Sequence, residues 1–314
     1  MIPLKLAGAE TIAKGIHLLE LRDPAGGALP GFSAGAHITL RTPSGLLRKY
    51  SLCNDPAESD RYVIAVKRDA SGRGGSMDLV DHVHAGDLVE VSPPENAFPM
   101  SPGARNFLFI AGGIGITPIL SMIRHLNATG LARFRLAYIT HDAESTAFRE
   151  ELLAPQAQGQ VKLYHGRGDP AFAFDLWLQL EKPGPTHVYC CGPRQLMDSI
   201  LDMTGHWPRS HIHFESFADA EQTRMADNKP FRLRLARSNA ELEVASDQSI
   251  VQALRSCGYQ VLTSCESGTC GTCRATLLEG EADHRDLVLS EEEHASCIML
   301  CVSRARSPEL VIDL

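Results

Sequence analysis

Four cysteines near the end of this 314-residue chain carry its most specific chemistry. Cys265, Cys270 and Cys273 share the segment CESGTCGTC, and Cys301 follows inside CVSR. This C-x₄-C-x₂-C…C spacing is that of a plant-type [2Fe–2S] centre. Three thiolates on one loop can wrap one side of a small rhomb, and a fourth from elsewhere closes it. Gly268 and Gly271 allow the loop to curl so that backbone N–H groups face anionic sulfur. Zinc is the main alternative, although zinc sites favour paired short Cys or His spacings. Cys297 competes for the fourth place, but it lies in a Glu-rich polar stretch, whereas Cys301 precedes the last apolar strand, Glu309 to Leu314. Cys257 reads as an apolar helix residue, and Cys53 and Cys190 read as small strand fillers.

Two further loops could handle phosphate and a nicotinamide. Gly112-Gly-Ile-Gly-Ile-Thr-Pro118 follows the apolar strand Phe107 to Ala111 and opens a helix, the context in which backbone approaches a pyrophosphate. It is not the G-x-G-x-x-G fingerprint, and a tight packing turn is the competing reading. Cys191-Gly-Pro193 closes another apolar strand, so its loop should lie at the same carboxyl edge, where open α/β sheets bind ligands. The thiol either flanks a nicotinamide or simply ends a buried strand. In the N-terminal part, Arg48-Lys-Tyr50-Ser51 places a cation and an aromatic ring on one side of a strand and a hydroxyl on the other. That cluster suits a planar anionic cofactor or a plain solvated strand. Gly74-Gly75-Ser76 is a phosphate nest or a helix cap.

The elements that must position these groups fall into three blocks. Short alternating strands at Gly35 to Arg41, Arg48 to Cys53, Tyr62 to Lys67 and Leu88 to Ser92 predict a closed antiparallel barrel, with one helix over Ser76 to His84. From Asn106, strand–loop–helix units with strands at Phe134 to Thr140, Val161 to His165 and His187 to Cys191 predict a parallel sheet covered by helices. The polar run from Ala218 to Pro230 reads as a linker. Beyond it, Phe231 to Arg237 and Glu241 to Ala245 predict a hairpin, and Ser249 caps a helix to Cys257. A module this small gains from an inorganic cluster.

Composition bounds the setting. The formal net charge of −8 offers no footprint for nucleic acid or an anionic membrane. No apolar run is long enough to span a bilayer, and the first residues lack a secretory pattern. Nine cysteines without such a signal point to a reducing compartment, by default the cytoplasm.

In order, RKYSLCND (48–55), YVIAVK (62–67), GRGGS (72–76), AGGIGITP (111–118), VYCCGP (188–193), HFESF (213–217) and the cysteine loop resemble the ferredoxin-NADP reductase superfamily. Within it, their order resembles the phthalate dioxygenase reductase family along essentially the whole chain. The resemblance implies an α/β and β multidomain protein: an FMN-binding β-barrel (1–102), a NAD-binding α/β domain (103–217), a linker (218–230) and a β-grasp [2Fe–2S] ferredoxin domain (231–314). It implies that Arg48 binds the FMN phosphate, Tyr50 lines the isoalloxazine and Ser51 hydrogen-bonds near its N5. Val66 and Lys67 would run beside the flavin, Gly75 and Ser76 would cradle its phosphate, and the Phe217 ring would cover it.

On the dinucleotide side the resemblance implies Gly112, Gly113, Gly115, Thr117, Pro118, Cys191, Gly192 and Pro193. Thr117 and Cys191 would contact the nicotinamide, making Ser51, Cys191 and Phe217 the groups closest to hydride transfer. Asp142 would repel a 2′-phosphate and favour NADH, with nearby Arg149 arguing the other way. Cys265, Cys270, Cys273 and Cys301 would hold the cluster, which passes single electrons to a Rieske non-haem iron oxygenase acting on aromatic rings or O-methyl groups. The alternatives are a reductase serving another acceptor and a cluster-based redox sensor.

Overall fold

The computed structural model describes residues 1–72, 74–154, 160–166, 174–217 and 228–314. Strands of alternating burial build its first sheet: β1 (Ile2–Ala13), β2 (Ile16–Arg22), β3 (His37–Arg41), β4 (Leu47–Ser51), β5 (Tyr62–Lys67) and, after helix α1 (Gly75–His82), β6 (Leu88–Val91). They pair antiparallel in the order β4-β3-β6-β1-β2-β5, and a bridge between Leu52 and Ile64 links the edges into a barrel. Leu4, Leu6, Leu21, Ile38, Leu40, Ile64 and Val91 fill its interior. β1 and β2 lie outside the strands expected from sequence. β1 buries only Leu4 and Leu6 and shifts register at Leu6/Gly8 and Thr11/Ala13, so its alternation is broken where a pattern search would look for it.

The second sheet comes from β7 (Asn106–Gly112), α2 (Ile116–Thr129), β8 (Arg133–Thr140), α3 (Arg149–Leu152), β9 (Val161–His165), α4 (Phe174–Leu180), β10 (Thr186–Cys191), α5 (Arg194–Met203) and β11 (Ile212–Glu215). Its order is β11-β10-β7-β8-β9, with β10, β7, β8 and β9 parallel. β7 is the central strand and β10 its neighbour, buried from Phe107 to Gly112 and from Val188 to Cys191, which is why those stretches read as continuous apolar runs.

Met1–His213 forms one compact unit and Phe214–Leu314 a second. The border expected at residues 102 and 103 falls inside the first unit. There a single hydrophobic core runs from Ile16, Cys53, Val63 and Ala65 of the barrel to Phe109, Ile119, Met122 and Ile123 of the α/β layer. Ser121 Oγ donates to the Asn54 carbonyl at 2.9 Å and Arg124 Nη1 to the Cys53 carbonyl at 2.7 Å, so α2 is fastened to the barrel. Gly35 permits the same junction, because a Cβ there would lie 2.1 Å from the Phe98 carbonyl oxygen.

In the second unit β12 (Phe231–Leu235), β13 (Ala240–Val244), α6 (Ile250–Ser256), β14 (Arg274–Glu279), β15 (Ala282–Asp283), β16 (Cys297–Met299), β17 (Arg304–Ala305) and β18 (Glu309–Ile312) follow in turn. The main sheet runs β13-β12-β18-β14-β16, with β12 and β18 parallel and α6 packed on β13, a β-grasp arrangement. Ser249 caps α6 in a reciprocal box with Gln252, as its position predicted. Of the expected linker, residues 218–227 lie outside the described residues.

Candidate functional site

The cysteine loop turns at Glu266, Gly268 and Gly271, all with positive φ (54°, 75° and 82°). A Cβ on Gly268 would meet the Val302 side chain at 2.8 Å and the Asp286 Cα at 3.1 Å, so only glycine fits there. The curl presents donors to sulfur: Cys265 N lies 3.5 Å from Cys270 Sγ, and Ser267 N lies 3.4 Å from Cys265 Sγ. A hydrogen bond between Cys270 and Cys265 lowers the Cys265 thiol pKa and raises that of Cys270. A second, between Cys301 and Cys273, lowers Cys273 and raises Cys301. The four sulfurs are thus gathered as two interacting pairs, and Cys265 also acts electrostatically on Cys273 and Cys301.

Cys297 is elsewhere. It opens β16 opposite Thr276, and its sulfur lies 3.0 Å from Arg274 Nη2. Cys301 sits in the turn just after β16 and is buried against the module core. Cys257 corrects the sequence expectation, since it ends α6 as an exposed cap residue and not as part of the apolar face. Cys53 and Cys190 are fully buried packing residues, and burial pushes the Cys53 thiol up to about 12.

In the barrel Arg48 and Tyr50 share one face of β4 and Ser51 ends it. The start of α1 lies against Arg48: a Cβ on Gly75 would approach Arg48 Nε at 2.6 Å. Gly74 precedes that helix at φ 80° and, lacking a side chain, cannot cap its first turn. A guanidinium and free helix N–H groups therefore converge from elements 27 positions apart (48 to 75), a combination suited to phosphate. Ser76 Oγ instead accepts from Asp69 N at 3.1 Å. Ser51 is 4% exposed, and its hydroxyl has no hydrogen-bond partner among the described residues. A buried hydroxyl without a partner is destabilising, and a planar heterocycle bearing a ring nitrogen beside it would satisfy it. Burial pushes the Tyr50 hydroxyl up to about 12, keeping it neutral. Val66 is buried and Lys67 exposed at the end of β5.

The two carboxyl-edge loops meet backbone to backbone. A Cβ on Gly115 would lie 2.2 Å from the Cys191 carbonyl oxygen, and one on Gly112 would strike Pro193 at 2.6 Å. One on Gly192 would lie 2.9 Å from Gly112 Cα. These three glycines serve the packing of loop on loop. Gly113 differs: it adopts φ 55° and has nothing within 4 Å of its Cβ direction, so it is the glycine of this loop open to a ligand. A 3₁₀ turn, Gly113–Gly115, precedes α2. Thr117 and Pro118 are buried, with Thr117 Oγ1 donating to the Ile114 carbonyl at 3.1 Å. Cys191 is fully buried at the end of β10.

Asp142 follows β8 as a turn residue. Its Oδ1 accepts from Ser145 N at 2.9 Å and its Oδ2 lies 2.9 Å from His141 Nδ1, contacts that hold its pKa well below the usual carboxylate range. Arg149 is exposed at the start of α3. Phe217 lies two residues beyond β11 and is 44% exposed.

One supporting residue escaped the sequence reading. The guanidinium of Arg304, three residues past Cys301, donates to the carbonyls of Gln248, Lys229 and Ala245 and lies 5.0 Å from the Phe231 ring centroid. It ties the start of the module to α6. An arginine so close to Cys301 was the available signal, but only the fold reveals that it is buried.

A family model described as "2Fe-2S iron-sulfur cluster binding domain" matches residues 233–306. The chain is 54% identical to "Phthalate 4,5-dioxygenase oxygenase reductase subunit" of Pseudomonas putida, over 99% of this chain and 96% of the relative. It is 37% identical to "Vanillate O-demethylase oxidoreductase" of a Pseudomonas strain, over the full length of both. Among solved structures, a phthalate dioxygenase reductase described as modular for electron transfer from pyridine nucleotides to [2Fe–2S] superposes with TM-score 0.73 at 52% identity, covering 100% of this chain and 98% of that one.

Proposed function

The chain belongs to the phthalate dioxygenase reductase family, and from that premise we propose that it is the NADH-dependent reductase of a Rieske-type oxygenase that hydroxylates or O-demethylates an aromatic substrate. The observation that carries this reading is the gathering of Cys265, Cys270, Cys273 and Cys301 in one module, in the same chain as a phosphate-type cradle and a dinucleotide-type sheet edge. When bound, FMN supplies the exchange between hydride and single electrons, and the [2Fe–2S] centre supplies one-electron relay.

The protein's own contribution is to bind, orient and insulate. Arg48 with the α1 terminus at Gly75 and Ser76 neutralises the FMN phosphate. Ser51 offers its unpartnered hydroxyl to the flavin ring edge, and Tyr50 and Val66 supply apolar walls that exclude water. Gly113 gives the dinucleotide backbone contact, while Thr117, Pro118, Gly192 and Pro193 hold the rims of that loop pair. The fixed, fully ionised carboxylate of Asp142 disfavours a 2′-phosphate, which makes NADH the donor. Phe217, exposed just beyond β11, would be the aromatic ring available to shield a bound flavin. The loop N–H groups at Cys265 and Ser267 support anionic sulfur. Among the described residues no helix is long and apolar enough to cross a membrane, and a chain with nine cysteines of which four would hold a cluster suits a reducing compartment such as the cytoplasm.

The test is anaerobic titration with NADH and with NADPH, followed by addition of an oxidised Rieske oxygenase. Bleaching of both flavin and cluster bands by NADH, then reoxidation by the oxygenase, is expected. A preference for NADPH would overturn the role of Asp142, and failure of any oxygenase of the aromatic class to reoxidise the cluster would overturn the partner.

A further inference from the structure

We propose that His284, Asp286 and His294 bind one divalent transition-metal ion of the zinc class, at a site separate from the four cluster cysteines. One ligand atom from each of the three side chains lies within 4.8 Å of the others. Two of these side chains bring a buried polar atom that has no hydrogen-bond partner among the described residues: Nδ1 of His284 and Oδ1 of Asp286. The opposite atoms of the same groups are committed. His284 Nε2 lies 3.1 Å from the His294 carbonyl oxygen, and Asp286 Oδ2 accepts from Val288 N at 3.0 Å and Leu289 N at 2.7 Å.

That division of labour is the one metal sites use. The outer atom of a ligating imidazole or carboxylate is held by the protein, which fixes the ring orientation and leaves the inner lone pair for the ion. Donation from Nε2 to a carbonyl requires neutral His284 to carry its lone pair on Nδ1, the atom left without a partner. The ring of His294 stacks on that of His284 with centroids 4.0 Å apart and planes 7° apart, so His294 has to turn out of the stack before its in-plane lone pair can reach an ion shared with His284 and Asp286.

Two imidazoles and one carboxylate match zinc and its neighbours, whereas calcium and magnesium favour oxygen-only shells. A tetrahedral ion binding at about 2.1 Å keeps its ligands about 3.4 Å apart. The trio therefore draws inward on binding, with the half-buried His294, on the short turn Glu293–Ala295, as the part that moves. The ion's role is structural. Leu287 N donates to the Gly268 carbonyl at 2.9 Å, and Gly268 packs against Asp286. An ion at this trio fastens the segment that backs the cysteine loop.

The test uses the full chain with flavin and cluster in place, washed with chelator, dialysed against zinc chloride and analysed for zinc and iron by mass spectrometry. One zinc per chain above the His284→Asn and Asp286→Asn backgrounds, with iron content and visible spectrum unchanged, is the expected result. His294→Gln should weaken zinc binding by roughly tenfold or more, and it covers the case in which His284→Asn does not fold. X-ray absorption at the zinc edge should show a nitrogen and oxygen shell. No zinc on the parent, or equal zinc on parent and variants, overturns the proposal. So does a shell dominated by sulfur, which would put the zinc on the cysteines.

Discussion

In the second unit, three of the four gathered sulfurs come from one loop, Cys265 to Cys273, and the fourth from a turn after β16. In the first unit, the groups facing the proposed flavin and dinucleotide come from β4, α1, the turn after β7 and the end of β10. The difference follows from what is held. A cluster is small and is bound through four covalent bonds, so local spacing nearly suffices. A nucleotide is long and is bound through many weak contacts, and only packed elements can present those together. The loop is therefore exacting in residue type, whereas the first unit is exacting in backbone approach.

The largest effect should separate the two cysteines that competed in sequence. Cys301→Ser is expected to abolish cluster iron and reduction of protein acceptors while leaving flavin bound, and Cys297→Ser to keep the cluster, changing only the sulfur's contacts with Arg274 and Ser296. Iron analysis with visible spectra decides, and the reverse outcome would break the local half of the comparison.

Gly115→Ala tests the other half, because its Cβ would meet the Cys191 carbonyl backbone at 2.2 Å. A loss of about 3 kcal/mol or more is expected from denaturant unfolding. Gly113→Ala, strained only by its φ of 55°, should cost about 1 kcal/mol. Equal losses would mean that the loop-on-loop contact does not govern this edge.

A pH scan probes the strands beneath that edge. His213 lies beside His187, with Nε2 and Nδ1 3.1 Å apart, and stacks on Tyr189 with centroids 4.2 Å apart. Burial, then the neighbouring His187 and His211, lower its pKa from 6.5 to about 4. The unfolded chain takes up that proton first, so stability holds above about pH 6.5 and falls as pH drops from 6.5 to about 4. The loss should reach on the order of 2 kcal/mol, and His213→Asn should flatten it.

Arg48→Ala should weaken FMN binding by roughly tenfold or more, the worth of about 1.5–3 kcal/mol in charge-assisted hydrogen bonds, with little change in melting temperature. Flavin release measured by fluorescence would show it. The smallest effect is Ser249→Ala, which removes one side of the α6 capping box. It should lower the stability of the second unit by about 1 kcal/mol, read by thermal unfolding.

The cysteine spacing, the strands Val161–His165 and Phe231–Leu235, and the Ser249 cap were legible because each depends on neighbours within a few residues. Apolar runs named β7 and β10 for the same reason. β1 was not legible, because its buried positions are few and bulges interrupt their period. Cys257 misled, since a helix pattern does not say where the last turn stops.

Sequence by itself thus determined the order of three element blocks and singled out the cysteine loop, since hydrophobic period and cysteine spacing act along the chain. Tertiary structure alone decided that Arg48 meets Gly75, that Gly112, Gly115 and Gly192 serve one loop's packing on another, and that the barrel and sheet share a core. It also decided that His284, Asp286 and His294 converge. Such contacts depend on distances between segments far apart in the chain. No local preference encodes those distances, and only the burial of the whole core fixes them.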